Sequence, residues 1–141
     1  MKILLLLTLL GYSKLFGQVN DSTEVAVLIM ADYKTFSNWD YKQHQMHCMP
    51  HYHLIENGEI MNLLDEVNYF KKNSHRKINR SDNFSFTTIK VKGDIAYAIY
   101  KLESTIVEDG KSKFYKWAES AVCEKTINGW KLALIHSTPL R

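Results

Sequence analysis

Glu119 and His136 are the side chains in this sequence best suited to acid–base chemistry. A carboxyl group in an apolar setting has a raised pKa, so it can exchange a proton near neutral pH, and a nearby imidazole can complement it. If the fold brings the two together, they form a candidate catalytic pair for proton transfer on a small apolar ligand. The alternative is that the same groups satisfy each other's hydrogen bonds and only hold the structure together.

Histidines form a second group of chemically interesting side chains, namely His44, His47, His51 and His53. The first two lie one turn apart on a predicted helix, the last two share one face of a predicted strand, and neutral imidazole suits zinc, copper or nickel. Their spacing matches no defined metal motif, so exposed histidines are the simpler interpretation and metal binding is the alternative. His53 could instead line the mouth of a pocket. We predict no bound cofactor.

The hydrophobic pattern predicts helices first and strands afterwards. Helices are predicted over residues 21–39, 40–49 and 62–73, and strands over 51–55, 84–92, 95–107, 114–126 and 130–138. The first helix begins at a capping-box spacing, Asp21 to Glu24, and the second must end before Pro50. Asp32 lies on the apolar side of the first helix and could point into a cavity, although a capped or solvated aspartate is the alternative. This order of elements predicts an α+β domain.

Turn dipeptides predict which strand residues face each other. Asp109-Gly110 and Asn128-Gly129 suit two-residue hairpin turns, because both central positions need a positive φ. The second turn places His136 opposite Ala121. The first places Tyr100 opposite Glu119, whereas a three-residue loop with a bulge there would shift the register by one residue and invert the faces. Because side chains alternate along a strand, we expect one face to form a ligand pocket. Its predicted members are Tyr100, Trp117, Glu119, Trp130 and His136.

Four segments resemble the C-terminal half of SnoaL-like proteins in the nuclear transport factor 2-like superfamily. They are Gly93-Asp94-Ile95-Ala96-Tyr97, Trp117-Ala118-Glu119-Ser120, Asn128-Gly129-Trp130-Lys131-Leu132 and His136-Ser137-Thr138. The resemblance covers residues 22–140 in element order and is strongest to a secreted bacterial branch. It implies a cone-shaped, cystatin-like fold, in which a curved antiparallel sheet wraps around N-terminal helices, and frequent homodimers. The superfamily includes isomerases, cyclases, dehydratases and hydrolases, and none of their catalytic sets can be transferred here residue by residue.

The N-terminus predicts export. Residues 1–18 contain Lys2, an apolar run from Ile3 to Leu10 and then small residues, which is the layout of a signal peptide. Cleavage could follow Ser13 or Gly17, and the run is too short to span a membrane. The remaining domain, residues 22–141, would be periplasmic or secreted, with no membrane contact after cleavage.

Charge and cysteine content narrow the possible partners. Without residues 1–18 the chain keeps 16 basic and 15 acidic side chains, and this balance does not suit nucleic-acid binding. The basic segment 75–80 is expected to be a solvated loop. Cys48 and Cys123 could form a disulfide in an oxidising compartment, but a single pair matches no disulfide framework and we expect two free thiols.

Three functions are consistent with these features of the sequence. The leading hypothesis is a homodimeric cone that binds a small apolar or amphipathic molecule in the predicted pocket. The second is an isomerase, dehydratase or hydrolase that uses Glu119 with His136. The third is a protein-interaction module that uses the outer face of the sheet.

Overall fold

The computed structural model describes residues 20–141. The predicted signal peptide, with both of its candidate cleavage sites, lies outside these residues and stays a prediction. Within the described part of the chain, no helix is both long enough and apolar enough to cross a membrane.

Three α-helices and a short 3₁₀ turn form one layer of the fold. They are α1 (Asp21–Lys34), the 3₁₀ turn (Thr35–Ser37), α2 (Tyr41–His47) and α3 (Leu63–Asn73). The side chain of Asn20, one residue before the predicted cap, accepts a hydrogen bond from the Thr23 amide and begins α1. Asn62 and Asp65 form a capping box at the start of α3.

Six strands form a single sheet. They are β1 (Cys48–Glu56), β2 (Glu59–Asn62), β3 (Ile78–Lys92), β4 (Ile95–Glu108), β5 (Lys111–Thr126) and β6 (Gly129–Pro139). The order across the sheet is β2-β1-β6-β5-β4-β3. Every neighbouring pair is antiparallel except β1 and β6, which run parallel, so the sheet is mixed. The predicted α+β cone is confirmed, but its sheet is not wholly antiparallel as expected, because β1 runs parallel to β6.

The strand β3 begins earlier than predicted. It extends from Ile78, whereas the sequence pattern placed its start at Phe84 and assigned residues 75–80 to a solvated loop. Asn79 and Arg80 pair with Val107 and Ile106 of β4, so the hairpin continues through the polar segment. Pairing with a long partner strand has outweighed the low strand propensity of the polar residues.

The hairpin between β4 and β5 has the predicted register. Asp109 and Gly110 both have positive φ, and Tyr100 lies opposite Glu119. The predicted register of the hairpin between β5 and β6 is wrong. Thr126 pairs with Gly129, and the register shifts again between Cys123 and Val122 at a β-bulge.

The bulge changes which side chains of β6 face the helices. Beyond it, Glu119 pairs with Ser137 and Ser120 pairs with His136. A one-residue slip moves a strand's side chains to the other face, so Ser137 is buried and His136 is exposed. His136 therefore cannot be the pocket partner of Glu119.

The core lies between the inner face of the sheet and α1. Val25, Ile29 and Tyr33 recur at helical spacing on α1 and are buried against Ala98 and Leu102 of β4, among other strand residues. This packing fixes the rotation of α1 relative to β4 and β5. It therefore determines which α1 side chains approach Glu119.

Both cysteines are free and buried, as expected from the sequence. Cys48 pairs in register with Leu132 of β6, and Leu132 pairs with Cys123 of β5. Two strand spacings of about 4.8 Å place the cysteine Cα atoms roughly 9–10 Å apart, beyond the reach of about 7 Å for a disulfide. A disulfide between them would require the sheet to open.

Candidate functional site

A cavity of about 450 Å³ opens between the helices and the inner face of the sheet. This volume lies within the usual range for small-molecule sites. Its wall is mainly aromatic and aliphatic, and contains Tyr33, Phe36, Trp39, Leu54, Met61, Tyr69, Ile78, Leu102, Ile106, Tyr115 and Trp117. Its polar members are Glu56, Glu66, Arg76, Arg80, Glu119 and Ser137. Leu102, Glu119 and Ser137 are buried at its deep end, and Tyr69 and Tyr115 are exposed at its mouth.

Glu119 is the central polar group at the deep end. It is 5% exposed, and its two carboxyl oxygens have separate partners. The Tyr33 hydroxyl on α1 donates to Oε2 at 2.7 Å, and the Ser137 hydroxyl on β6 donates to Oε1 at 2.7 Å. One carboxyl group therefore connects the first helix, the fifth strand and the last strand at the wall of the cavity.

Burial raises the pKa of Glu119 above its ordinary value of 4.5. The hydrogen bonds from Tyr33 and Ser137 act in the opposite direction, because they stabilise the ionised form, and the charge of Glu56 adds to the upward shift. Burial also raises the pKa of Tyr33 well above 10, so its hydroxyl keeps the proton that it donates. A carboxyl with this balance can hold or release a proton at the cavity wall.

Trp39 shows local backbone strain at the cavity wall. Its φ is 56°, in the left-handed region that a bulky side chain rarely adopts. The indole Nε1 donates to the Arg76 carbonyl at 3.0 Å, and the ring packs edge-on against Phe70 at 5.9 Å between centroids. Strained backbone that the surroundings hold in place is found preferentially at ligand-binding and active sites.

The structure brings only some of the predicted site residues together. Trp117 and Glu119 line the cavity, as the sequence predicts. Tyr100 is buried next to Glu119 on the neighbouring strand, but it is not part of the wall, and its hydroxyl has no hydrogen-bond partner among the described residues.

Trp130, His53 and His136 do not line the cavity. Trp130 is buried at the start of α1, where its Nε1 donates to Asp21 at 3.1 Å. His53 pairs with Leu134 on the outer side of the sheet and is exposed, because its position on β1 alternates with the inward-facing Leu54. The strand alternation excludes both His53 and His136 from the cone.

Asp32 is buried, but it points toward α2 and not into the cavity. Its Oδ1 lies 2.9 Å from His44 Nδ1 and 3.0 Å from His47 Nδ1. Both interpretations from the sequence, a cavity residue and a capped or solvated aspartate, are therefore wrong, because two histidines of α2 cover its carboxylate. These hydrogen bonds outweigh the upward effect of burial and lower the pKa of Asp32 below 3.8.

His44 links two acidic residues inside the protein. Its Nδ1 contacts Asp32 and its Nε2 lies 3.2 Å from Glu66 Oε2, while the ring stacks on Phe70 at 4.9 Å. Burial alone would lower the pKa of His44, but its hydrogen bonds, that with Asp32 foremost, raise it to about 12. The result is a buried imidazolium between two carboxylates, one of which lines the cavity.

The four histidines that the sequence suggests for metal binding do not converge. His51 contacts Glu124 at 2.8 Å on the surface, and His53 lies elsewhere on the outer face. The donor set that the structure does assemble is Asp32, His44 and Cys48, with ligand atoms within 4.8 Å of one another. A metal would have to displace protons from His44 and from Cys48, whose thiol pKa burial raises to about 11. The described contacts therefore make these residues a hydrogen-bonded ion cluster.

Sequence reasoning missed most of the cavity wall, including Tyr33, Ser137, Glu56 and Arg80. Tyr33 had a usable signal, because it lies on the apolar side of α1 with Val25 and Ile29. Ser137 had none, because only the bulge in β6 turns it inward. Glu56 directly precedes the turn dipeptide Asn57-Gly58, and Arg80 lies in the basic segment that was expected to be a loop. Neither position suggested a cavity residue.

The similarity of this architecture to known structures identifies the fold. No family model and no curated protein matches the chain. Solved structures do match: a ketosteroid isomerase-like protein from Erwinia carotovora atroseptica has a TM-score of 0.70 at 12% identity, over 87% of this chain and 98% of that one. An NTF2-like protein from Cytophaga hutchinsonii has a TM-score of 0.73 at 11% identity, over 86% and 99% of the two chains.

The chain has the nuclear transport factor 2-like fold. A third similar structure is the CaMKII hub homology domain from Chlamydomonas reinhardtii, with a TM-score of 0.73 at 18% identity over 86% and 100% of the two chains. Proteins with such different names share the nuclear transport factor 2-like cone, so the function must be argued from the site.

Proposed function

We propose that the cone binds a small, largely apolar or amphipathic molecule, with its polar end at Glu119 and Ser137. The observation that carries this proposal is Glu119 itself. It is a buried carboxyl group without a cationic partner among the described residues, and it faces a cavity with aromatic walls. Apolar walls with a few converging polar groups are the usual construction of a ligand site.

Native mass spectrometry of protein purified without added ligand tests this proposal. We expect a discrete small-molecule mass on the folded chain, with lower occupancy in Glu119→Gln. Glu24→Gln is the matched control, because Glu24 is exposed on α1, and it should retain full occupancy. Equal occupancy in both variants would contradict a polar anchor at Glu119, and an empty cone that also takes up no added ligand would contradict the proposal.

Acid–base catalysis is the second candidate, and the raised pKa of Glu119 favours it. An isomerase, dehydratase or hydrolase here would use Glu119 with the Tyr33 hydroxyl, since His136 lies on the other face. The ketosteroid isomerase-like neighbour gives this candidate support by analogy alone. Glu119→Gln should then abolish turnover of the identified ligand while leaving its binding within about tenfold.

We also propose that the protein is a homodimer through the outer face of the sheet. Ile95, Tyr97 and Ile99 alternate along β4 and are 47%, 43% and 46% exposed, which is unusual for large apolar side chains on one face. Light scattering after gel filtration should give twice the chain mass, and Tyr97→Glu with Ile99→Glu should give the monomer. A monomeric parent protein would contradict the dimer, and a stable complex with another protein at this face would favour an interaction module instead.

Export is part of the same proposal and depends on residues 1–18. The free thiols, the neutral charge balance and the fold are compatible with either side of a membrane. N-terminal sequencing of the purified protein decides the matter, because a chain that begins near residue 14 or 18 has been processed. An intact Met1 or Lys2 on all of the protein would contradict export by this signal.

A further inference from the structure

The positive charges in the cavity wall are already neutralised. Arg76 forms a bidentate pair with Glu108, at 2.7 and 2.6 Å, and donates a third hydrogen bond to Asn73 at 3.1 Å. Arg80 Nε contacts both carboxylate oxygens of Asp82, at 2.8 and 2.9 Å. An anionic ligand would have to compete with these carboxylates for the same guanidinium groups.

Two carboxyl groups in the cavity wall lack a positively charged partner. Within residues 20–141, neither Glu56 nor Glu119 forms an ion pair. The Ser137 hydroxyl lies 2.7 Å from Glu119 Oε1 and 3.3 Å from Glu56 Oε1, but it has one proton and can donate to only one of them. The deep end of the cavity therefore has more acceptors than donors.

The aromatic wall is also suited to positive charge. Arg80 lies over the rings of Tyr33 and Phe36, at 5.4 and 5.3 Å from their centroids, so these faces already interact with a cation. Tyr115 and Trp117 stack on each other at 5.6 Å and precede Glu119 at alternate positions on β5. They form a continuous path of rings from the mouth of the cavity to Glu119.

We infer that the ligand of the cone is an organic ammonium compound with an aromatic or apolar body. The inference rests on the proposed ligand-binding function and narrows it to a substrate class. The ammonium group lies at Glu119, Glu56 and Ser137, where it supplies the missing positive charge and three N–H donors. The body of the ligand lies along Trp117 and Tyr115.

Three probes of similar shape and different charge test whether the charge of the ligand determines its affinity. They are 2-phenylethylamine, which is cationic, 2-phenylethanol, which is neutral, and 3-phenylpropionate, which is anionic. Isothermal titration of the purified protein with each should show the amine binding at least about tenfold more tightly than the alcohol, since a charged hydrogen bond contributes more than a neutral one. The acid should bind most weakly.

Two variants test whether a preference for the amine depends on the carboxyl group of Glu56. Glu56→Gln is the main variant, because Glu56 is only half-buried and its loss should be tolerated in the fold. It should lower the affinity for the amine by about tenfold and leave the affinity for the alcohol unchanged. The exposed Glu24→Gln control should change neither affinity.

The outcomes distinguish this inference from the proposed function. Equal binding of amine and alcohol would overturn the ammonium assignment while the cone remained a ligand site. Tighter binding of the acid would overturn it as well, and would assign the charged end of the ligand to the arginines of the wall. Failure of all three probes would also overturn it, and native mass spectrometry would then decide separately whether the cone holds any other molecule.

Discussion

The Tyr33 hydroxyl of α1 donates to Glu119 Oε2 of β5 at 2.7 Å, across the boundary between the helical layer and the sheet. The two residues are 86 positions apart in the chain, and both line the cavity. This bond fixes the orientation of the carboxyl group before any ligand arrives. A preorganised polar group loses less freedom on binding than a mobile one.

Tyr33→Phe should destabilise the fold and leave the shape of the cavity unchanged. The variant removes one donor from a buried carboxyl oxygen, and such a loss costs about 1–3 kcal/mol. Urea unfolding in the absence of ligand measures the change, with Tyr115→Phe at the exposed mouth of the cavity as the control. Equal stability of the two variants would mean that the bond between Tyr33 and Glu119 contributes nothing to the fold.

Glu119→Gln should change the pH dependence of stability in a defined direction. The pKa of Glu119 is raised in the folded state, so the folded protein binds more protons than the unfolded chain above about pH 4.5. The parent protein therefore loses stability as pH rises from 4.5 through the raised pKa, and the Gln variant lacks this loss. Urea unfolding between pH 4 and 8 should show the variant gaining stability relative to the parent, and a constant difference would contradict the raised pKa.

His44→Gln should be strongly destabilising. It removes the imidazolium between Asp32 and Glu66, so Glu66 loses this partner and Asp32 keeps only His47, and breaking a buried ion pair costs about 3–5 kcal/mol. The double variant with Asp32→Asn should lose less stability than the sum of the single variants, because one of those carboxylates is then neutral. Additive losses would show that the two residues are not coupled.

The contribution of His44 should also weaken in alkaline solution. Its folded-state pKa is about 12 against an ordinary value of 6.5, so its stabilisation is fully present below pH 6.5 and is lost as pH rises toward 12. The stability difference between the parent and His44→Gln should therefore shrink from pH 6.5 to pH 10. A difference that grows with pH would mean that His44 is neutral in the folded protein.

The two cysteines should be unreactive in the folded protein. Both are buried, and burial raises the pKa of Cys48 to about 11 and that of Cys123 to about 12, so almost no thiolate is present at neutral pH. A thiol reagent should label neither in native buffer and both after denaturation, without prior reduction. Labelling only after reduction would reveal a disulfide, which the strand geometry excludes.

The sequence was sufficient for the three helices, for five of the six strands and for one register, because local chemistry decides these features. Asp109-Gly110 favours a two-residue turn with positive φ at both positions, and the turn that forms places Tyr100 opposite Glu119. The register of β6 could not be predicted in the same way. A bulge after Leu132 depends on packing across three strands, and it exchanges His136 for Ser137 on the inner face.

The histidine cluster illustrates a second limit of sequence reasoning. The spacing of His44 and His47 correctly suggested that they share a helix face. Their partner Asp32 lies on another helix, so the contact depends on how α1 and α2 dock, which no local pattern encodes. A buried charge network of this kind is visible only after the helices have been placed.

The tryptophans allow the most direct test of the cavity as a ligand site. Trp39 and Trp117 line it, whereas Trp130 is buried outside it with its Nε1 bonded to Asp21. In protein labelled with ¹⁵N at tryptophan, titration with 2-phenylethylamine or 2-phenylethanol should shift the indole signals of Trp39 and Trp117 and leave that of Trp130 in place. Saturating ligand that moves neither Trp39 nor Trp117, or moves Trp130 alone, would contradict binding in the cone.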